Sequence, residues 1–282
     1  MIALFAPHFA SAQNNSAAAE KTSAPSGTEQ SASIASAVQA SLNLPFTDGI
    51  GLLPKPPKPT ETTPQATPEP DACTNGCETP FGKLLGSVDG TDSFSNCKST
   101  CVKPEYSFLD FSTGQVSVHK KDPQKEDLRY IGVTYQCVEY ARKWWMKNLG
   151  ITFGSIDSAH EIIYLTEGEK IRSKDKFPLA RSINGTASRA PKRGDLVIYY
   201  PDATREDWKH GHVAVVVAVN LGKGFVDLAE ENYDNKPWRK PRAYSRRISI
   251  YQTGGQYTLI DLAPGARADA KAGRISGWIY PK

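Results

Sequence analysis

"YQCVEYARKWW", residues 135–145, sets a lone cysteine between a glutamine and a run of helix-favouring residues. Cys137, Ala141, Trp144 and Trp145 fall at i, i+4, i+7 and i+8, one face of a 3.6-residue period. That spacing predicts a helix from Gln136 to Asn148 with the cysteine in its first turn. Cys137 then points with the tryptophans toward the body of the protein, while Glu139 and Lys143 can face elsewhere. A free cysteine is often no more than a small buried hydrophobe. It can also be a nucleophile, because a helix N-terminus stabilises a thiolate. The second reading needs a base, and a group that orients the base.

The base must come from five histidines. His8 lies in an apolar start, and His119 and His160 sit in polar surroundings. His210 and His212 flank Gly211 at the mouth of "HGHVAVVVAV" (210–219), which reads as a strand with apolar residues at nearly every position. A strand comes before it in "APKRGDLVIYY" (190–200), and another follows in "GFVDLAEEN" (224–232). The turn residues Asn220 to Gly224 make the last two an antiparallel hairpin. His212 shares a strand face with Ala214, Val216 and Ala218, residues small enough to let a helix approach. A satisfied structural histidine is the competing reading, and His-x-His as a metal site lacks a third ligand at a convincing spacing. Glu230 is in phase with Val226 and Leu228, so its carboxylate must find a partner or suffer desolvation. An imidazole on the neighbouring strand is such a partner. Glu231 points to the other face.

The rest of the chain divides by composition. Of 282 residues, 34 are Lys or Arg and 30 are Asp or Glu, a net charge of +4 that is too even to argue for nucleic acid. No stretch is long and apolar enough for stable membrane insertion as a helix. "MIALFAPHFASAQ" ends in Ala10-Ser11-Ala12, a pattern signal peptidase could cleave, but it lacks a basic start and is short. Residues 1–12 are therefore read as a possible signal remnant. Residues 13–72, rich in Ser, Ala, Thr and Pro, are expected to be a disordered linker. A Cys-rich segment (73–104) carries Cys73-x3-Cys77 and Cys97-x3-Cys101. Zinc sites usually use two-residue spacings, so two disulfides are the simpler reading for an exported protein. Three connectivities are open. The nested one, Cys73–Cys101 with Cys77–Cys97, is the expectation, which leaves Cys137 as the odd thiol.

Taken in order, "PFGKLLG" (80–86), "YQCVEYAR" (135–142), "GDLVIY" (194–199), "GHVAVV" (211–216), "AEEN" (229–232) and "YTLID…ISGW" (257–278) resemble one family. It is that of CHAP domains, the cysteine- and histidine-dependent amidohydrolases and peptidases. The pattern is most similar to the amidase domains of glutathionylspermidine synthetase/amidase and trypanothione synthetase. The resemblance covers residues 79–282 and implies an α+β papain-like fold, a cysteine-bearing helix packed on an antiparallel sheet. It implies Cys137 as nucleophile, His212 as base and Glu230 as its orienter, with Gln136 and the Cys137 backbone N–H as oxyanion donors. Arg142 and Asn232 match substrate-binding positions. No cofactor or metal is implied. The expected substrate is a small thiol–polyamine conjugate cleaved at a glycyl–polyamine amide. Because no synthetase domain follows, the expected activity is hydrolytic only. The cysteine pairs and the signal-like start suggest a secreted or periplasmic protein, with a peptidoglycan peptide as the rival substrate. A catalytically inactive binding module is the reading from another class.

Overall fold

The computed structural model describes residues 73–239, 243–261 and 273–282. The possible signal remnant and the expected linker lie outside the described residues. Within them a hairpin, β1 (Leu84–Val88) and β2 (Thr91–Phe94), precedes a three-stranded sheet. That sheet comprises β3 (Tyr106–Asp110), β4 (Val116–His119) and β5 (Leu128–Val133), in the order β4-β3-β5. The helix α1 (Cys137–Leu149) follows. The remaining strands are β6 (Ile151–Thr152), β7 (Glu167–Lys170), β8 (Lys176–Ile183), β9 (Leu196–Tyr199), β10 (His212–Asn220), β11 (Phe225–Ala229), β12 (Arg246–Thr253), β13 (Gln256–Ile260) and β14 (Ile275–Pro281). They form an antiparallel sheet in the order β13-β12-β11-β10-β9-β14-β8-β7-β6. The expected hairpin is β10–β11, with Val215 opposite Ala229 and Asn220 opposite Phe225.

The central strands are apolar at nearly every position because both sheet faces are covered. Leu196, Ile198, Val213, Val215, Val217 and Ile279 pack beneath α1 with Tyr140, Ala141, Trp144 and Trp145. Val197, Tyr199, Ala214, Val216, Val226, Leu228 and Trp278 build a second core on the opposite face. This corrects one expectation. The helix approaches the Val213–Val215–Val217 face, and Ala214 and Val216, in phase with His212, serve the other core. His212 opens β10 and Cys137 opens α1, so the two meet at element ends and not across the middle of the sheet.

The helix is also enclosed from behind. Met146 joins Leu109, Ile131 and Ile171 in a third cluster. Gly132 of β5 lies so close that a Cβ there would stand 3.0 Å from the Cβ of Glu139. Glu139 and Lys143 are consequently 1% and 3% exposed, not turned to solvent as periodicity alone suggests. Gly150 ends the helix at φ 68°, its N–H returning to the Trp145 carbonyl, a conformation glycine adopts without the Cβ penalty. The four clustered cysteines pair in the nested order, Cys73–Cys101 and Cys77–Cys97.

Candidate active site

Cys137 is the first residue of α1, where unpaired backbone N–H groups and the helix dipole favour negative charge. It is buried and is the free thiol among the described cysteines. His212 lies against it: its ring hydrogen-bonds the Cys137 side chain, while Nε2 donates to Glu230 Oε2 at 2.8 Å. With Nε2 so engaged, Nδ1 is the nitrogen available to the thiol. Tyr199, Trp208 and Tyr233 surround the imidazole, with ring centroids 5.6, 5.8 and 5.6 Å away. Burial by itself would lower the pKa of this histidine. Hydrogen bonds and charge from Cys137 and Glu230 outweigh it and hold His212 at about 9.

Glu230 follows the last residue of β11 and is 2% exposed. Burial would raise its pKa, yet Arg246 and His212 bring it down to about 2. Both carboxylate oxygens are occupied. Oε1 accepts from Ser245 Oγ at 2.7 Å and from Arg246 Nε at 2.6 Å. Oε2 accepts from His212 and, at 3.1 Å, from Arg246 Nη2.

The other sequence candidates cluster nearby in altered surroundings. The Gln136 side chain does not stand open to an oxyanion. Its Nε2 donates to the Cys101 carbonyl at 3.0 Å, and its Oε1 accepts from Asn232 Nδ2 at 2.7 Å. This ties the Cys-rich segment, the residue before the cysteine and the end of β11 into one chain of hydrogen bonds. The Cys137 backbone N–H at the helix start is the donor that this leaves. Tyr135 and Asn232, on either side of that junction, both hold positive φ, 61° and 57°. Such angles are uncommon outside glycine and concentrate at functional sites. Arg142 is 5% exposed; it donates through Nη1 to the Ile131 carbonyl and through Nη2 to Gly154 O at 3.0 Å. Burial brings its pKa down to about 10. Its guanidinium thus fastens α1 to two neighbouring segments. His210 Nδ1 is held by Ser158 Oγ at 2.8 Å, a contact from a distant segment that accounts for the first histidine of His-x-His.

A cleft of 360 Å³ opens over Cys137 and His212. Ser99, Thr100 and Val102 form one wall, so the disulfide-bonded segment shapes the site. Asp157, Glu206 and Asp207 add acidic groups to its lining.

Two groups escaped the reading of the sequence. Arg246 is in phase with Ile248 and Ile250 on β12, both buried, so alternation marked it as a charge aimed inward that needs an acid. The buried set Glu139–Lys143–Glu231, with Lys143 Nζ 3.1 and 3.0 Å from the two carboxylates, was hidden by a helix that is covered on both sides.

Residues 128–232, a span that includes Cys137, His212 and Glu230, match the CHAP domain. The chain is 29% identical over 188 residues to the bifunctional glutathionylspermidine synthetase/amidase of Escherichia coli (strain K12), covering 67% of this chain and 28% of that protein. It is 27% identical over 183 residues to the trypanothione synthetase of Crithidia fasciculata, covering 64% and 24%. To the glutathionylspermidine synthase of the same organism it is 28% identical over 206 residues, covering 72% and 26%. The chain spans about a quarter of the length of the curated relatives it matches. Residues 128–232 are a CHAP domain, carried on an α+β papain-like fold.

Proposed function

We propose that this chain hydrolyses an amide by covalent catalysis through Cys137. The observation that supports the reading is the line Cys137–His212–Glu230, whose first two members line the cleft, with a carboxylate kept ionised behind an imidazole kept protonated. An imidazolium facing sulfur favours the thiolate, which attacks the substrate carbonyl carbon while the Cys137 N–H faces the developing oxyanion. His212 passes its proton to the leaving amine as the C–N bond breaks, and Cys137 is left as an acyl-thioester. Neutral His212 then takes a proton from water, which attacks the thioester; the product is a carboxylate and the thiolate–imidazolium pair returns. Glu230 fixes the ring and stabilises its charged form.

For the substrate we favour a glycyl–polyamine amide of the glutathionylspermidine type. The named amidase among the relatives supports it; of the acidic groups along the cleft, Glu206 and Asp207 already pair with Lys209 and Arg205, which leaves Asp157 to face a cationic leaving amine. In this reading a substrate carboxylate reaching Arg142 would compete for N–H groups already donated to Ile131 and Gly154, so the arginine acts first through the fold. One observation favours a second substrate. Two disulfides suit an oxidising, exported setting, where peptidoglycan peptides are available. Incubating the protein with glutathionylspermidine and, separately, with purified peptidoglycan, then weighing the products by mass spectrometry, decides between them. Release of spermidine by the parent and none by Cys137→Ala is the expected result. Muropeptide release with glutathionylspermidine untouched would transfer the same mechanism to the cell wall. Full activity in Cys137→Ala would end the cysteine-hydrolase reading.

A further inference from the structure

Behind Glu230 lies a group to which the triad reading assigns no role. Arg246, near the start of β12, presents Nε and Nη2 to the two oxygens of Glu230 in a side-on pair. Its Nη1 bonds Asp261, and Nη2 also donates to Tyr199 Oη at 2.8 Å. The face of the guanidinium lies 3.8 Å from the centroid of Tyr233, a cleft residue that also abuts His212. The arginine is thus held by two carboxylates, a phenol hydroxyl and a ring face. A bidentate contact fixes the plane of a carboxylate, which a lone Ser245 hydroxyl could not do.

We propose that Arg246 is a positioning residue of the hydrolytic site, clamping Glu230 so that Oε2 stays on His212; the inference rests on the cysteine-hydrolase reading above. The clamp does two separable things. Its fork sets the direction of Oε2, and its charge keeps the carboxylate ionised beside a cation in a buried setting. The charged and titratable groups around this point are Cys137 from α1, His212 from β10, Tyr199 from β9, Tyr233 after β11, and Arg246 and Asp261 from the β12–β13 pair. Among them Arg246 is the cation in contact with both Glu230 oxygens. Without it Glu230 titrates at higher pH. The neighbouring imidazolium, relieved of a like charge, does not titrate lower.

The test is the pH–rate profile of amide hydrolysis by the full chain, measured for the parent, Arg246→Gln and Arg246→Lys, with Cys137→Ala as the inactive control. Circular dichroism and thermal melting report folding. Arg246→Gln is expected to lower kcat by about 10- to 100-fold with little change in KM, the cost of a misplaced catalytic group. Its acid limb should move up by about one pH unit or more, the effect of removing a cation from a carboxylate. Arg246→Lys, which keeps charge but not the fork, should leave the acid limb near the parent's and recover only part of kcat. An Arg246→Gln protein with parental kcat and acid limb would overturn the proposal. Equal losses in both variants with no movement of the limb would also overturn it, marking a merely structural arginine. If Gln does not fold, the Lys variant decides alone: parental kcat there removes the positioning role. A parent that hydrolyses nothing, or a Cys137→Ala protein that is fully active, would instead sink the underlying reading.

Discussion

Glu230 and Glu231 are neighbours in the chain, both carboxylates and both almost wholly buried, at 2% and 1% exposure. They turn to opposite faces of the sheet and meet opposite fates. Glu230 finds two cations, Arg246 and His212, and its pKa falls to about 2. Glu231 finds Lys143, 3.0 Å away, and must share it with Glu139; burial, only partly offset by Lys143, pushes it well above the ordinary carboxylate range. For Lys143 burial works toward neutrality, and the two carboxylates override it and raise its pKa. Burial therefore does not decide the ionisation of a carboxylate by itself. The ratio of cations to acids in the pocket does, so one glutamate is prepared for a mechanism and its neighbour for the fold.

The contrast can be broken most forcefully at the catalytic end. His212→Ala should lower kcat/KM by roughly a millionfold, and Glu230→Gln by roughly ten-thousandfold, because an orienting group costs less than a reacting one. Steady-state hydrolysis measures both, and a Glu230→Gln protein as active as its parent would dissolve the functional half of the comparison. At the structural end, Lys143→Met should destabilise the fold by about 3–5 kcal/mol, since it leaves carboxylates buried without a cation. Urea titration would show that loss, while activity per folded molecule should persist.

The pH dependence sharpens the distinction. The folded His212 pKa is raised to about 9, so its contribution to stability is complete below the unfolded value near 6.5. It is lost as pH rises through 9. Glu230, lowered to about 2, contributes above its unfolded 4.5, and that contribution disappears as pH falls toward 2. Hydrolysis should accordingly decline on an alkaline limb near pH 9, and Glu230→Gln should move that limb down, since the carboxylate is one of the groups holding the imidazolium. The smallest expected effect is at Glu231. A carboxyl whose folded pKa is raised favours the fold below pH 4.5 and loses that contribution as pH rises. Below pH 4.5 Glu231→Gln, able to keep the oxygen that accepts from the Phe94 N–H at 2.8 Å, should change stability by no more than about 1 kcal/mol. It should also flatten the loss of stability as pH rises above 4.5; melting curves in which the variant keeps the parent's slope would show that Glu231 is ionised in the fold.

The same pair shows where inspection of the sequence succeeds. In-phase placement with Val226 and Leu228 singled out Glu230 as an inward acid, and His212 sits where that acid needs it. Identical parity at Arg246, Ile248 and Ile250 carried an equal signal, but two adjacent arginines on an edge of composition look like a solvated surface until the acid opposite them is known. Gln136 had the right neighbourhood and a different occupation, because the carbonyl of Cys101 reaches it only once the disulfide-bonded segment has folded over the cleft.

By itself the sequence determined the helix at the cysteine and the β10–β11 hairpin, and it singled out Cys137, His212 and Glu230 as candidates. All are local periodicities, turn signals or counts, which depend on neighbours a few positions away. Tertiary structure alone decided which sheet face receives the helix and why Glu139 and Lys143 are buried. It alone decided that Arg246 rather than Lys143 keeps a glutamate at a low pKa. Those outcomes depend on charges and surfaces brought together across as many as 92 positions, as between Glu139 and Glu231 around Lys143, and electrostatic energy in a buried site follows distance in space, not separation along the chain.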